Sequence, residues 1–129
     1  MHNVNNVCVN LLNGTLPVGT SRVLAFKVPS DAIGGGITLT SCQFASNAAI
    51  AAASAPVYEL VTLTSAGAIS GTLTTVLGSA NWTAGTPRTG TISTAFVDAD
   101  NYVAVQWKQT AVNANTPVIS AVIGYLMGK

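Results

Sequence analysis

The chain has 129 residues and a formal net charge of +1, with 7% charged and 49% hydrophobic residues. That length suits one domain, and the composition excludes intrinsic disorder, which needs high charge and low hydrophobicity. It also excludes the clustered basic footprint of a nucleic-acid binder, because Arg22, Lys27, Arg88, Lys108 and Lys129 are spread along the chain.

The opening stretch MHNVNNVCVNLLNG is broken by Asn and has no Lys or Arg ahead of an apolar core, so no secretory signal is expected. No run approaches the ~20 apolar residues of a membrane helix, and no membrane partner is expected. Residues 7–12 read as a strand ended by the Asn13-Gly14 turn. Residues 1–13 are therefore an N-terminal arm or first strand, and residues 14–129 a β-sandwich domain. Cys8 and Cys42 both lie in apolar strand-like contexts and are expected to be buried free thiols. A disulfide between them is the alternative.

Strand follows strand after that. Residues 22–28 end at Pro29. Gly34-Gly35-Gly36 opens residues 37–44, where Ile37 and Leu39 alternate with Thr38 and Thr40. An Ala-rich stretch, residues 47–55, is the one helical contender, at most two turns before Pro56. In residues 57–64, Tyr58, Leu60 and Thr62 share one face, with Val57, Glu59, Val61 and Leu63 on the other. Residues 69–77 are Thr-rich and β-prone. Residues 78–90 (GSANWTAGTPRTG) have no period and read as the longest loop. Residues 91–96 read as a strand and 98–101 as a turn. In residues 102–108, Val103, Val105 and Trp107 face one way and Tyr102, Ala104, Gln106 and Lys108 the other. The last run, residues 118–127, has apolar residues on both sides and is expected to be covered on both faces.

About eight short strands at this spacing predict an all-β fold: a single antiparallel β-sandwich of jelly-roll type. Its surface would be made of Thr, Ser, Asn, Ala and Gly rather than of charges. Interface cores are depleted in charge, and few lysines are present to guard sheet edges. A homo-oligomer is therefore expected, with a three-fold assembly favoured.

The catalytic inventory is thin: one His (His2) and four carboxylates, Asp31, Glu59, Asp98 and Asp100. General acid–base or metal chemistry needs more than this, so no enzyme, no catalytic residues and no cofactor are expected. Asp98, Asp100 and Asn101 form a weak candidate for a hard cation, and turn formation is the ordinary account of them. Trp82 and Arg88, in the long loop, read either as a stacking patch for sugar or protein or as a lid over the end of the sandwich. Trp107 reads as core.

The segments VYELVTLTSAGAISGTLTTVLGSANWTAGTPRTG and YVAVQWKQ, with the ending VIGYLMGK, resemble small virion proteins of tailed bacteriophages. The composition is also similar to that of trimeric jelly-roll domains of tumour-necrosis-factor-like shape on spore and phage surfaces. The resemblance implies a non-enzymatic capsid-decoration or head-fibre protein, made in the host cytoplasm and located on the virion. It would bind the major capsid protein or another virion protein at a three-fold site. The N-terminal arm, with Val4 and Val7, would be a contact, because extended termini can add strands to an exposed edge. The competing reading is a carbohydrate-binding β-sandwich that uses the Trp82 loop, assisted by Tyr58 or Tyr102.

Overall fold

The computed structural model describes residues 5–11, 14–16, 19–50, 57–78, 80–109, 113–116 and 119–128. Eleven strands occur among them: β1 (Asn5–Leu11), β2 (Gly14–Leu16), β3 (Gly19–Lys27), β4 (Gly36–Ser46), β5 (Val57–Leu63), β6 (Ile69–Thr72), β7 (Arg88–Thr89), β8 (Phe96–Asp98), β9 (Tyr102–Gln109), β10 (Asn113–Thr116) and β11 (Ile119–Met127). Nine of them build two antiparallel sheets. One sheet runs β1-β11-β4-β7, with β8 also paired to β4, and the other runs β3-β9-β5-β6. Strands β2 and β10 form a separate two-stranded ribbon.

The pairing is that of a jelly roll. The chain folds back on itself so that β1 meets β11, β3 meets β9, β4 meets β8 and β5 meets β6, with successive pairs falling in alternate sheets. The expected all-β sandwich is thus the observed fold.

Alternating side chains explain why the sheets close on each other. Val103, Val105 and Trp107 of β9 face inward with Tyr58 and Leu60 of β5. They meet Ile37, Leu39, Cys42 and Phe44 of β4 and Ile119, Ala121 and Ile123 of β11. Each large apolar side chain so enclosed contributes about 1.5–3 kcal/mol. Aromatic rings occupy the centre: Tyr58 lies 5.7 Å from Phe44, 5.7 Å edge-on from Trp82 and 6.4 Å from Trp107.

Several local expectations need correction. The strand expected at residues 91–96 is displaced to β8. The amides of Ser93 and Thr94 both donate to the Leu73 carbonyl, so this segment leaves β4 after β7 and rejoins the same sheet at β8. The Trp82 segment is not wholly irregular. Trp82 exchanges backbone hydrogen bonds with Ile50 at 2.8 and 3.1 Å, and Arg88–Thr89 pairs with β4. Strand β11 is covered unevenly on its outer face: Val122 is exposed and Ser120 and Leu126 are half-buried, while Gly124 is buried. Most of the short helix contemplated around residue 50 lies outside the described residues. Cys8 is exposed, not buried. It sits on β1 with the outward parity of Asn6 and Asn10, whereas Val9 points to the core.

Candidate interaction surface

The outer face of the four-stranded sheet is where residue parity and register bring unlike side chains together. On β3, Thr20, Arg22 and Leu24 point outward while Val23, Ala25 and Phe26 pack inward, a register shift falling between Leu24 and Phe26. The register aligns three rows across this face. In one, Leu24 of β3 pairs with Ala104 of β9, which pairs with Val61 of β5, which pairs with Thr72 of β6. In the next, Lys27, Tyr102, Leu63 and Ile69 are aligned in the same way.

These two rows form a second apolar cluster outside the main core. Val61, Leu63 and Ala104 are its buried members and Tyr102 packs against them. Leu24 and Ile69 flank it with 54% and 46% of their surface exposed. Exposed apolar side chains such as these two, on an otherwise polar face, are where a partner would first gain apolar contact.

The third row is polar. Arg22 Nε donates to Gln106 Oε1 at 2.5 Å, and Gln106 Nε2 donates to Glu59 Oε1 at 2.6 Å. A cation on the edge strand and an anion two strands away are thus tied through one amide on the central strand. At the end of the second row, Lys27 pairs with Asp100 at 3.8 Å and lies 5.9 Å from the Tyr102 ring centre. Both partners of that pair are about half exposed, so its contribution is within about 1 kcal/mol.

The residues singled out from the sequence are distributed differently. Trp82 is 2% exposed, and its ring is held between Tyr58 and the Arg88 guanidinium, 4.6 Å from the ring centre. Arg88 Nη2 also donates to the Gly78 carbonyl at 3.1 Å. Trp82 therefore closes the sandwich and presents no free ring face for a sugar to stack on. Tyr58, one of the two rings proposed to assist it, is buried as well. Val7 is partly buried against the main core, and Val4 lies outside the described residues.

Asp98, Asp100 and Asn101 form the β8–β9 turn. The Asn101 amide donates to the Asp98 carbonyl at 3.3 Å, and Asp100 adopts a left-handed φ of 69°. Asp and Asn tolerate that conformation well, and Asp100 is already engaged by Lys27. Among the described residues no group of three His, Cys, Asp or Glu side chains could hold a metal ion.

Both thiols are free. Burial in the apolar core pushes Cys42 up to about 12, and the same cause raises the Tyr58 hydroxyl. Both groups are protonated in the folded chain, whereas the unfolded chain releases the thiol proton from its ordinary value of 9.0. The unfolded state then binds fewer protons than the native state, so stability falls as pH rises above about 9. Thermal melting between pH 7 and 11 should show a plateau followed by this decline, shallower in Cys42→Ala. A thiol reagent should modify Cys8 in the native protein and reach Cys42 only after unfolding.

No protein-family model matches the chain, and no curated protein matches it. Among solved structures, it is similar to a chain from the structure of infectious bursal disease virus Gx strain, with a TM-score of 0.50 and 8% sequence identity. The match covers 99% of this chain and 32% of that one, so the present chain spans about a third of its length. At that identity the likeness is one of fold: the same kind of β-domain occurs in a viral protein.

Proposed function

We propose that this chain is a non-enzymatic structural protein of a virus particle, of the capsid-decoration or head-fibre kind. It packs with copies of itself and seats on the outer surface of a capsid. The observation that carries this reading is the jelly roll shared with a viral chain along 99% of the present sequence. Jelly rolls serve many functions, so the fold alone does not decide the matter. The surface adds to it: 7% charged residues is far below the roughly one quarter typical of soluble domains, and such a surface favours association.

The self-contact is assigned to the outer face of the four-stranded sheet, with a second copy of this chain as its occupant. Arg22 and Glu59 lie in the same row on either side of Gln106. A two-fold axis along β9 would set Arg22 of each copy opposite Glu59 of the other, with exposed Leu24 in the neighbouring row. An isologous contact needs this kind of self-complementarity. It supports a two-fold pairing in place of the three-fold assembly expected from the sequence. The residues preceding β1, Val4 among them, are proposed as the contact with the major capsid protein, because β1 is an edge strand of its sheet.

Light scattering at micromolar concentration should give an even number of copies. Leu24→Lys should shift the protein to monomer while changing folding stability by no more than about 0.5 kcal/mol, because the side chain is exposed. A trimer unaffected by Leu24→Lys would overturn the assigned contact. The virion role is tested by co-sedimentation with capsids of the parent virus that lack the protein. Stoichiometric binding is expected, and a solitary chain that ignores these capsids would remove the proposal.

A further inference from the structure

The two sheets end in edges of unequal kind. On the four-stranded sheet, β6 has four residues and a register shift, and β3 carries Arg22 and Lys27 with a register shift of its own. On the other sheet, β7 and β8 are two and three residues long and carry Arg88 and Asp98. Short, charged and irregular edges are the usual guards against strand addition. β1 has none of them. It is seven residues long, uncharged and free of proline, and it pairs with β11 in unbroken register from Asn5↔Tyr125 to Leu11↔Ile119. Among the described residues β11 is its one neighbour in the sheet, so its other side offers backbone donors and acceptors to a further strand.

The sequence of β1 says which strand. Asn6-Val7-Cys8-Val9-Asn10 reads the same in both directions. In an antiparallel pair of two β1 strands with a two-fold axis at Cys8, Cys8 stands opposite Cys8 of the second copy, Val7 opposite Val9, and Asn6 opposite Asn10. Like therefore meets like along the whole pair, the self-complementarity that an isologous contact needs. Exposure divides the strand in the same way. Asn6, Cys8 and Asn10 are exposed on the outer face, whereas Val9 is buried and Val7 half-buried on the core side. Pairing thus continues the polar row and the apolar row of one copy into those of the other.

We infer that β1 pairs edge to edge with β1 of a second copy, joining two sheets into one across a two-fold axis at Cys8. This contact is distinct from the outer face of the four-stranded sheet, and two unlike two-fold contacts on one chain extend an assembly beyond the dimer. A single strand pair buries less than the about 1,000 Å2 of a stable interface. The edge contact is therefore weak, formed at about millimolar concentration and not at micromolar. It does not use residues 1–4, the segment proposed for the capsid, and it does not rest on the virion role.

Cys8 reports the pairing, because the opposed Cα atoms would be about 4.5–5.5 Å apart, within the span of a disulfide. The test uses the full chain carrying Leu24→Lys, which removes the face contact, at about millimolar concentration in a glutathione redox buffer. One Cys8 thiolate attacks oxidised glutathione and releases one glutathione thiol, and Cys8 of the second copy displaces the other. Two protein thiols thereby become one disulfide, and their two electrons reduce oxidised glutathione to two thiols. A Cys8-linked dimer is expected as the main product, and Cys8→Ser should give none. Register is read by moving the thiol within the Cys8→Ser background. Asn6→Cys and Asn10→Cys should link to each other at least about tenfold more than either links to itself, because like positions are offset by about 13 Å along the strands, beyond disulfide reach. Glutathione adducts of Cys8 without linked dimer would overturn the inference and leave the edge to a strand of another protein. Equal linking at positions 6, 8 and 10 would also overturn it, since random collision does not sort registers. Light scattering at micromolar concentration reads the face contact alone, so the two contacts fail separately.

Discussion

Trp82→Ala is expected to lower the unfolding free energy by ~3 kcal/mol, near the lower end for truncating a buried aromatic residue. The ring is enclosed, meets Tyr58 edge-on at 5.7 Å and lies under the Arg88 guanidinium at 4.6 Å. Removing it opens a cavity that its neighbours fill only in part. One term works the other way. Trp82 Nε1 is buried and has no hydrogen-bond partner, so the substitution also removes an unsatisfied N–H. Trp82→Phe should accordingly recover most of the loss, since it restores ring packing without restoring that donor. Urea denaturation checks both variants. A change below about 0.5 kcal/mol for Trp82→Ala, as found for ordinary surface substitutions, would contradict the enclosed position.

Gly36→Ala should cost a comparable amount, about 2–4 kcal/mol, by overpacking where backbones touch. Gly36 opens β4 and pairs with Asp98 of β8. Its φ of 166° is extended backbone open to any residue, so conformational freedom is not the reason for glycine here. A Cβ at this position would overlap the Val97 carbonyl oxygen and come within 2.8 Å of the Phe96 ring. The ring can turn aside but the carbonyl cannot, because it belongs to the strand that pairs with β4. Gly78→Ala is the control. It meets nothing within 4 Å and lies outside the left-handed region, so its midpoint should stay within about 0.5 kcal/mol of the parent.

Period-2 alternation made much of the fold legible. Val103, Val105 and Trp107 against Tyr102, Ala104, Gln106 and Lys108 announces a two-faced strand, and β9 has those faces. The same rule assigned Tyr58 and Leu60 to one side of β5. It failed between β7 and β8, two strands that both pair with β4. Residues 91–96 are as β-prone as a strand, but their amides answer to Leu73. It also failed for the exposure of Cys8, because a short Asn-flanked run does not say which of its faces is the core.

Local pattern by itself determined the all-β class, the run of short strands and the poverty of charge, since each depends on residue type and spacing along one segment. Only the tertiary structure decided the rest. Arg22, Gln106 and Glu59 form a row through register between strands far apart in the chain. Trp82 is core and not contact surface for a similar reason: a pairing with Ile50 draws its irregular segment across the open end of the sandwich. Strand register is set by the collective burial of both sheets, and no single segment encodes it.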